Sequence, residues 1–362
     1  MNMMTFAGLA YLTPETRAAT LGAVDQLAWA FLRSAVDGKA LAAFSFMFGV
    51  SFSLILGRLG TDDGIPLRRL IQRLLTLFLI GLFNAVFLYW ADILMTYAAL
   101  GMILPFAARL PSWLLAGIAS LLILAGPLAL AISGMDVAAP PPRGHVDSIE
   151  AFASPSLIDI IRQNLQMMAN ASDSADSTLL LRLFILSGLF LLGLAAGKSG
   201  LIARLSDNRG VLLRLGAVLV LAGLAMKLTM RLMDDPTGPW AMLNLQSPVM
   251  ALGYLMLIAF VLSARGMAGT RRVLAPLGRM TLTGYLMSAL LGQLFFYGWG
   301  FGLIGQVGTM AAIGVAAVIY LALLGFAHLW FRRFLVGPWE WLWRSLARLQ
   351  PLPITGDRPP LR

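Results

Sequence analysis

Residues 70–90 read LIQRLLTLFLIGLFNAVFLYW, and residues 91–104 follow as ADILMTYAALGMIL. After Arg73 the only ionisable acid or base before residue 104, tyrosines aside, is Asp92. An α-helix rises ~1.5 Å per residue, so about 20 apolar residues cross the ~30 Å hydrocarbon core. In lipid every backbone N–H and C=O must be satisfied internally, which leaves helices or a closed barrel. The run is continuously apolar, without the alternation of barrel strands. It therefore predicts a membrane helix at about 70–90 and a second, about 92–108, turning back almost at once. Similar apolar blocks lie at about 40–57, 112–133, 179–197, 211–230, 241–263, 280–298 and 308–331. The expectation is an all-α polytopic bundle of about nine transmembrane helices.

Composition agrees. The chain is 59% hydrophobic and 12% charged, with a mean hydropathy of +0.81. Soluble domains carry about 25% charged residues, so a soluble enzyme is excluded. The formal net charge of +10 is the bias of cytoplasmic loops toward Lys and Arg, not a nucleic-acid surface. With no cysteine, disulfide and thiolate chemistry are excluded. Residues 1–39 mix charges with short apolar runs and lack the apolar core of a cleavable signal peptide.

The charges also orient the bundle. Arg58, Arg68, Arg69 and Arg73, then Lys198, Arg204 and Arg209, then Arg265, Arg271 and Arg272, then Arg332, Arg333, Arg344 and Arg348 mark one side. The long break at 134–178 is acidic, with Asp136, Asp147, Glu150, Asp159, Asp173 and Asp176. Nine spans then put the C-terminus and the 351–362 tail in the cytoplasm of a bacterial inner membrane, and the N-terminus outside. Within 134–178, Pro140, Pro141 and Pro142 precede a helix that Ser154 and Pro155 should start. Leu157, Ile160, Ile161, Leu165 and Met168 form its apolar face. Such a helix rests on the interface or closes over an outward pocket.

Three segments carry a family resemblance: FMFGVSF (46–52) followed by Arg68, Arg69 and GLFNAVFLYWADILMTYAALGMIL (81–104), then LGRMTLTGYLMSALL (277–291), then FLVGPWEWLWRSL (334–346). In this order they resemble the YeiB-like bacterial membrane proteins, the family called domain of unknown function 418. The chain departs from that family at Asn84, where His is usual, at Ala91, usually Gly, and at Gly284, often Asn. The family begins with a cytoplasmic arginine-glycine motif and a first membrane helix ending near an asparagine. Here Asn2 matches that asparagine, so the expectation is a ten-helix form with a further helix upstream. Distant kinship with membrane acyltransferases implies transfer of acyl groups, from acyl-CoA or a similar donor, to a small-molecule or glycan acceptor of the envelope.

The candidate chemistry is sparse. Asp92 is the candidate catalytic residue, because an ionisable group at membrane depth needs a cavity or a partner; capping the following helix is its plain alternative. Asn2, Asn84, Arg182, Lys227, Tyr285, Ser288 and Gln293 are pocket candidates on the outer side, although Arg182 and Lys227 could snorkel to headgroups. Thr281, Tyr285 and Ser288 share one helical face, suited to packing or to lining a path. Arg279, at the inner boundary, is the donor-side candidate or a topology anchor. In the motif Gly337, Pro338, Glu340 and Arg344, the last two are spaced for a helical ion pair, with Trp339 and Trp343 as interfacial anchors. His145 and His328 fall on no motif, and no metal-ligand cluster is visible.

In the acyl-transfer reading the donor enters near Arg279, Asp92 orients or deprotonates the acceptor hydroxyl, and Asn2 helps hold the acyl carbonyl. A transporter or lipid-handling protein, or a non-catalytic membrane subunit, are the rival classes.

Overall fold

The computed structural model describes residues 2–58, 67–133, 146–173, 177–232 and 238–355. Its elements are helical. Three short helices open the chain: α1 (Asn2–Phe6), α2 (Pro14–Thr20) and α3 (Ala23–Ala35). The helices α4 (Lys39–Arg58), α5 (Leu67–Phe87), α6 (Leu94–Gly101), α7 (Leu104–Ala107) and α8 (Ser112–Ser133) follow. Beyond 134–145 come α9 (Val146–Phe152), α10 (Leu157–Asp173), α11 (Ser177–Lys198), α12 (Leu201–Ser206), α13 (Arg209–Leu232) and α14 (Gly238–Leu262). The last are α15 (Ala268–Arg279), α16 (Thr281–Phe296), α17 (Thr309–Trp330) and α18 (Pro338–Arg348).

Among the described residues six stretches are long and apolar enough to cross a membrane: Ala23–Leu56, Leu67–Phe87, Leu181–Lys198, Arg209–Thr229, Leu245–Leu262 and Thr309–Trp330. Shorter apolar helices at Leu94–Ala107, Ser112–Ala125 and Thr281–Phe296 accompany them. The chain is thus an all-α, multi-pass membrane protein. Leu121, Leu124, Val218, Leu221, Val318 and Leu321 are exposed on the bundle's outside, the side that meets lipid tails.

Small residues set the helix packing, because lipid offers no hydrophobic force to drive helices together. A Cβ on Gly49 of α4 would overlap the Phe190 carbonyl, and one on Gly193 of α11 would overlap the Phe46 carbonyl. These helices touch backbone to backbone, and α11 packs against α8 as well. Phe48, Tyr97 and Phe190 fill the space beside that contact, with the Phe48 and Phe190 rings stacked at 4.8 Å.

Two expectations are corrected. The span at 92–108 is interrupted at residues 102–103, between α6 and α7, where Met102 N and Ile103 N bond the Ala99 and Leu100 carbonyls ahead of Pro105; the turn before it occupies residues 88–93. Ser154 and Pro155 do not start α10. The helix begins two residues later, where the Ser156 hydroxyl accepts the Asp159 N–H at 3.4 Å, and Ser154 instead bonds Ser156 N and the Asp159 carboxylate. The helix turns Ile160, Asn164 and Met167 toward the bundle and leaves Leu157 and Leu165 of its apolar face exposed. Buried Asn164 decides this, since its amide donates to the Val86 carbonyl at 3.1 Å. His145, Asp136, Asp176 and the prolines at 140–142 lie outside the described residues.

Candidate functional site

The end of α5 creates the site. Leu88 N and Tyr89 N both return to the Asn84 carbonyl, at 2.8 and 2.7 Å, and terminate the helix. The carbonyls of Phe87 and Leu88, left without helical partners, accept both bonds from the buried Gln293 amide, at 3.0 and 2.7 Å. The chain then folds back down the side of α5 until Asp92 lies beside Gly81. A Cβ at Gly81 would sit 2.8 Å from Asp92 Oδ2 and 2.6 Å from Met95 N, so glycine is required there. Asp92 is therefore inside the bundle, about six residues or ~9 Å below the end of α5.

Its carboxylate is held on both oxygens. Asn84 Nδ2 donates to Oδ1 at 2.7 Å, and the Tyr285 hydroxyl donates to the same oxygen at 3.2 Å. Met95 N donates to Oδ2 at 2.8 Å, which caps the first turn of α6. Ile93 N in turn donates to the Tyr285 oxygen at 3.4 Å. A carboxylate offers about four lone-pair sites, so capping and a further acceptor role coexist. Asn84 is fully buried, and its Oδ1 has no hydrogen-bond partner.

Asp92 and Tyr285 line a cavity of about 2770 Å³. At one end its wall includes Asn2, Tyr11, Arg17, Asp147, Gln163 and Arg182; at the other it includes Arg73, Arg344 and Arg348. The Trp90 indole donates to Tyr11 at 3.1 Å, and burial pushes the Tyr11 phenol well above its ordinary range despite that bond. Arg17 lies 4.1 Å over the Trp29 ring and donates to the Leu12 carbonyl.

The structure sorts the residues named from sequence. Asn2, Asp92, Arg182, Thr281, Tyr285 and Ser288 all line this cavity. Ser288 spends its proton on the Tyr285 carbonyl at 2.7 Å. Asn84 and Gln293 stand behind the wall, positioning Asp92 and the turn before it. Lys227 is not part of the lining. Neither is Arg279, which donates to the Leu335 carbonyl at 3.3 Å and lies 4.4 Å over Phe331. Gln163 and Gln166 of α10, off its apolar face, also line the cavity. His328 is exposed and meets the Val273 carbonyl, away from the cavity.

The Gly-Pro-Trp-Glu motif is corrected most. Pro338 does begin a helix, but Glu340 makes no pair with Arg344. Its buried carboxylate accepts Leu282 N at 2.7 Å, Thr283 N at 3.1 Å and the Thr283 hydroxyl at 2.6 Å. It caps the N-terminus of α16, where orphan N–H groups and the helix dipole favour an anion. Trp339 and Trp343 dock against α5: Trp339 packs on Phe83 at 5.6 Å, and Trp343 donates to the Arg73 carbonyl at 2.8 Å. Gly337 is needed because a Cβ there would overlap the Glu340 carboxylate.

Residues 196–350 match the family described as Protein of unknown function (DUF418). The match includes the α16 segment and the Glu340 motif. The chain is also homologous, distantly and over most of its length, to three bacterial proteins. It is 28% identical over 335 residues to the uncharacterized protein YxaH of Bacillus subtilis (strain 168), covering 89% of this chain and 82% of that one. It is 28% identical over 359 residues to the uncharacterized protein YeiB of Escherichia coli (strain K12), covering 93% and 89%. An uncharacterized 39.9 kDa protein in the amylase 3' region of Bacillus acidopullulyticus is 24% identical over 374 residues, covering 96% and 90%. No solved structure matches the chain.

The sequence reading missed Arg73, Arg344, Arg348, Arg17 and Gln163 as cavity residues. Arg73 carried a signal, since it lies inside an apolar run. The others sit on exposed-looking helices whose facing depends on tertiary docking.

Proposed function

We propose that this protein transfers an acyl group, from acyl-CoA or a similar donor, to a hydroxyl of an envelope or exported acceptor. The observation that supports this is a cavity whose wall joins a basic end at Arg73, Arg344 and Arg348 to a mixed polar and charged end at Asn2, Arg17, Asp147, Gln163 and Arg182, with Asp92 and Tyr285 between. Acyl transfer across a bilayer needs two substrates to meet at one acid–base group. In this reading the acceptor oxygen attacks the acyl carbonyl carbon, and the bond to the donor's leaving group breaks. Asp92 takes the hydroxyl proton, a general-base role, and returns it to the leaving group. Asn84 and Tyr285 hold the carboxylate in place. The charge bias of the loops puts the basic end in the cytoplasm, the side that holds acyl-CoA.

A lipid-handling or transport role is the second reading. It is favoured by Asn84, which stands where the resembling family usually carries a histidine and cannot act as a base. Asp92→Asn in the full chain distinguishes the two, with mass spectrometry of envelope glycans and exported small molecules as readout. Loss of an acyl modification at unchanged protein level supports transfer. An unchanged modification removes Asp92 from the chemistry.

A further inference from the structure

The basic end of the cavity is built, not incidental. Arg73 belongs to α5 and lies 4.7 Å over the Trp343 ring of α18, while the Trp343 indole donates to the Arg73 carbonyl at 2.8 Å. One tryptophan thus fixes the arginine's side chain and its backbone together. Arg344 and Arg348 are four apart on α18 and share a face, and both lie within electrostatic reach of Arg73. All three line the cavity. The acid nearest in sequence, Glu340, is turned away to cap α16. Among the described residues the ion pairs are Arg33 with Asp37 and Arg162 with Asp159. Three gathered guanidiniums repel one another and call for a multivalent anion; their planar forks match phosphate oxygens.

From this mouth inward the wall turns apolar, with Leu74 and Leu77 of α5 and Phe48 of α4, before it reaches Asp92 and Tyr285. Arg73 and Gly81, beside which Asp92 lies, are roughly 12 Å apart along α5 at ~1.5 Å per residue. A basic mouth, an apolar stem and a polar floor fit a ligand with a charged head and an apolar tail. We propose that Arg73, Arg344 and Arg348 bind the phosphate of an acyl-bearing amphiphile whose chain lies along this stem toward Asp92. The proposal deepens the acyl-transfer reading by assigning its donor site, and it replaces Arg279 in that role. An anionic phospholipid of the surrounding leaflet and a soluble acyl thioester of a nucleotide phosphate share this chemistry.

The test uses the purified full chain in nanodiscs. Octanoyl-CoA binding is measured in phosphatidylcholine discs, and phosphatidylglycerol retention is measured by native mass spectrometry from mixed discs. Arg344→Ala and Arg348→Ala should each weaken binding about fivefold, and the double variant roughly tenfold or more. Arg344→Lys should restore part of the loss, and the exposed pair Arg332→Ala and Arg333→Ala should change nothing. Dependence seen with octanoyl-CoA assigns a soluble donor; dependence seen with phosphatidylglycerol alone assigns a leaflet lipid. Either supports the site. Binding of both probes that ignores Arg344 and Arg348, or that falls equally in the Arg332 and Arg333 variants, overturns it. Asp92→Asn should leave binding intact, so a failure of transfer chemistry and a failure of this site give different results.

Discussion

Glu340 accepts the Thr283 hydroxyl at 2.6 Å, across 57 residues of chain. The same carboxylate takes Leu282 N and Thr283 N, so α18 and the start of α16 are one unit. Trp339 N closes the contact by donating to the Thr283 hydroxyl oxygen at 3.1 Å. Because Tyr285 lies on the first turn of α16 after this cap, α18 holds the residue that bonds Asp92.

Glu340→Ala should therefore destabilise the protein by about 3 kcal/mol, since two buried N–H groups lose their acceptor. Glu340→Gln keeps one acceptor oxygen and should cost about half of that. Thermal unfolding in detergent reads the difference. Equal, small losses in both variants would show that the cap contributes little.

Asn84→His tests the departure at the site. A histidine there lies within reach of Asp92, and a base held by a carboxylate is the usual arrangement for activating a hydroxyl. The buried, unpartnered Asn84 Oδ1 marks a place where a ring nitrogen could sit. If transfer is the activity, Asn84→His should raise its rate by roughly 10²-fold. Overpacking should lower stability by about 1–3 kcal/mol. A folded variant with no rate gain would make residue 84 a positioning group only.

The apolar runs that form the main helices were legible in the sequence, because a bilayer demands length and apolarity and little else. The site was half legible. Asp92 stood out as an acid at membrane depth, and Thr281, Tyr285 and Ser288 shared a face by spacing alone. What spacing could not reveal was which side of a helix meets which neighbour. Glu340 and Arg344 are four apart and looked like partners, yet the three donors at the α16 terminus outcompete a solvent-exposed guanidinium. Arg279 looked like a mouth residue, yet Phe331 and the Leu335 carbonyl hold it elsewhere. The turn at 88–93 shows as the gap between two apolar runs, but its bonds to Gln293, some two hundred residues downstream, follow no local pattern.

Glycines at the α4–α11 contact give a packing prediction with an internal control. Gly193→Ala would drive a methyl into the Phe46 carbonyl, and backbone cannot rotate away as a side chain can. It should cost about 1–3 kcal/mol. Gly117→Ala and Gly314→Ala meet nothing within 4 Å, and each should gain about 0.5–1 kcal/mol from helix propensity. Unfolding temperatures of the three variants in one detergent should separate in opposite directions. A neutral Gly193→Ala would mean that α4 and α11 sit further apart than described.

Tyr285→Phe separates positioning from binding. The hydroxyl donates to Asp92 Oδ1 and accepts Ile93 N, so its removal frees one carboxylate oxygen and loosens the turn before α6. The stability cost should be about 1 kcal/mol. If Asp92 must be aimed to receive a proton, the turnover of acyl transfer should fall roughly tenfold or more. Binding at the arginine mouth, about two turns away along α5, should not change. Turnover and donor affinity falling together would instead indicate that Tyr285 shapes the whole cavity. Unchanged turnover would show that the bonds from Asn84 and Met95 suffice to orient Asp92, leaving the tyrosine a packing role between α16 and the re-entrant turn.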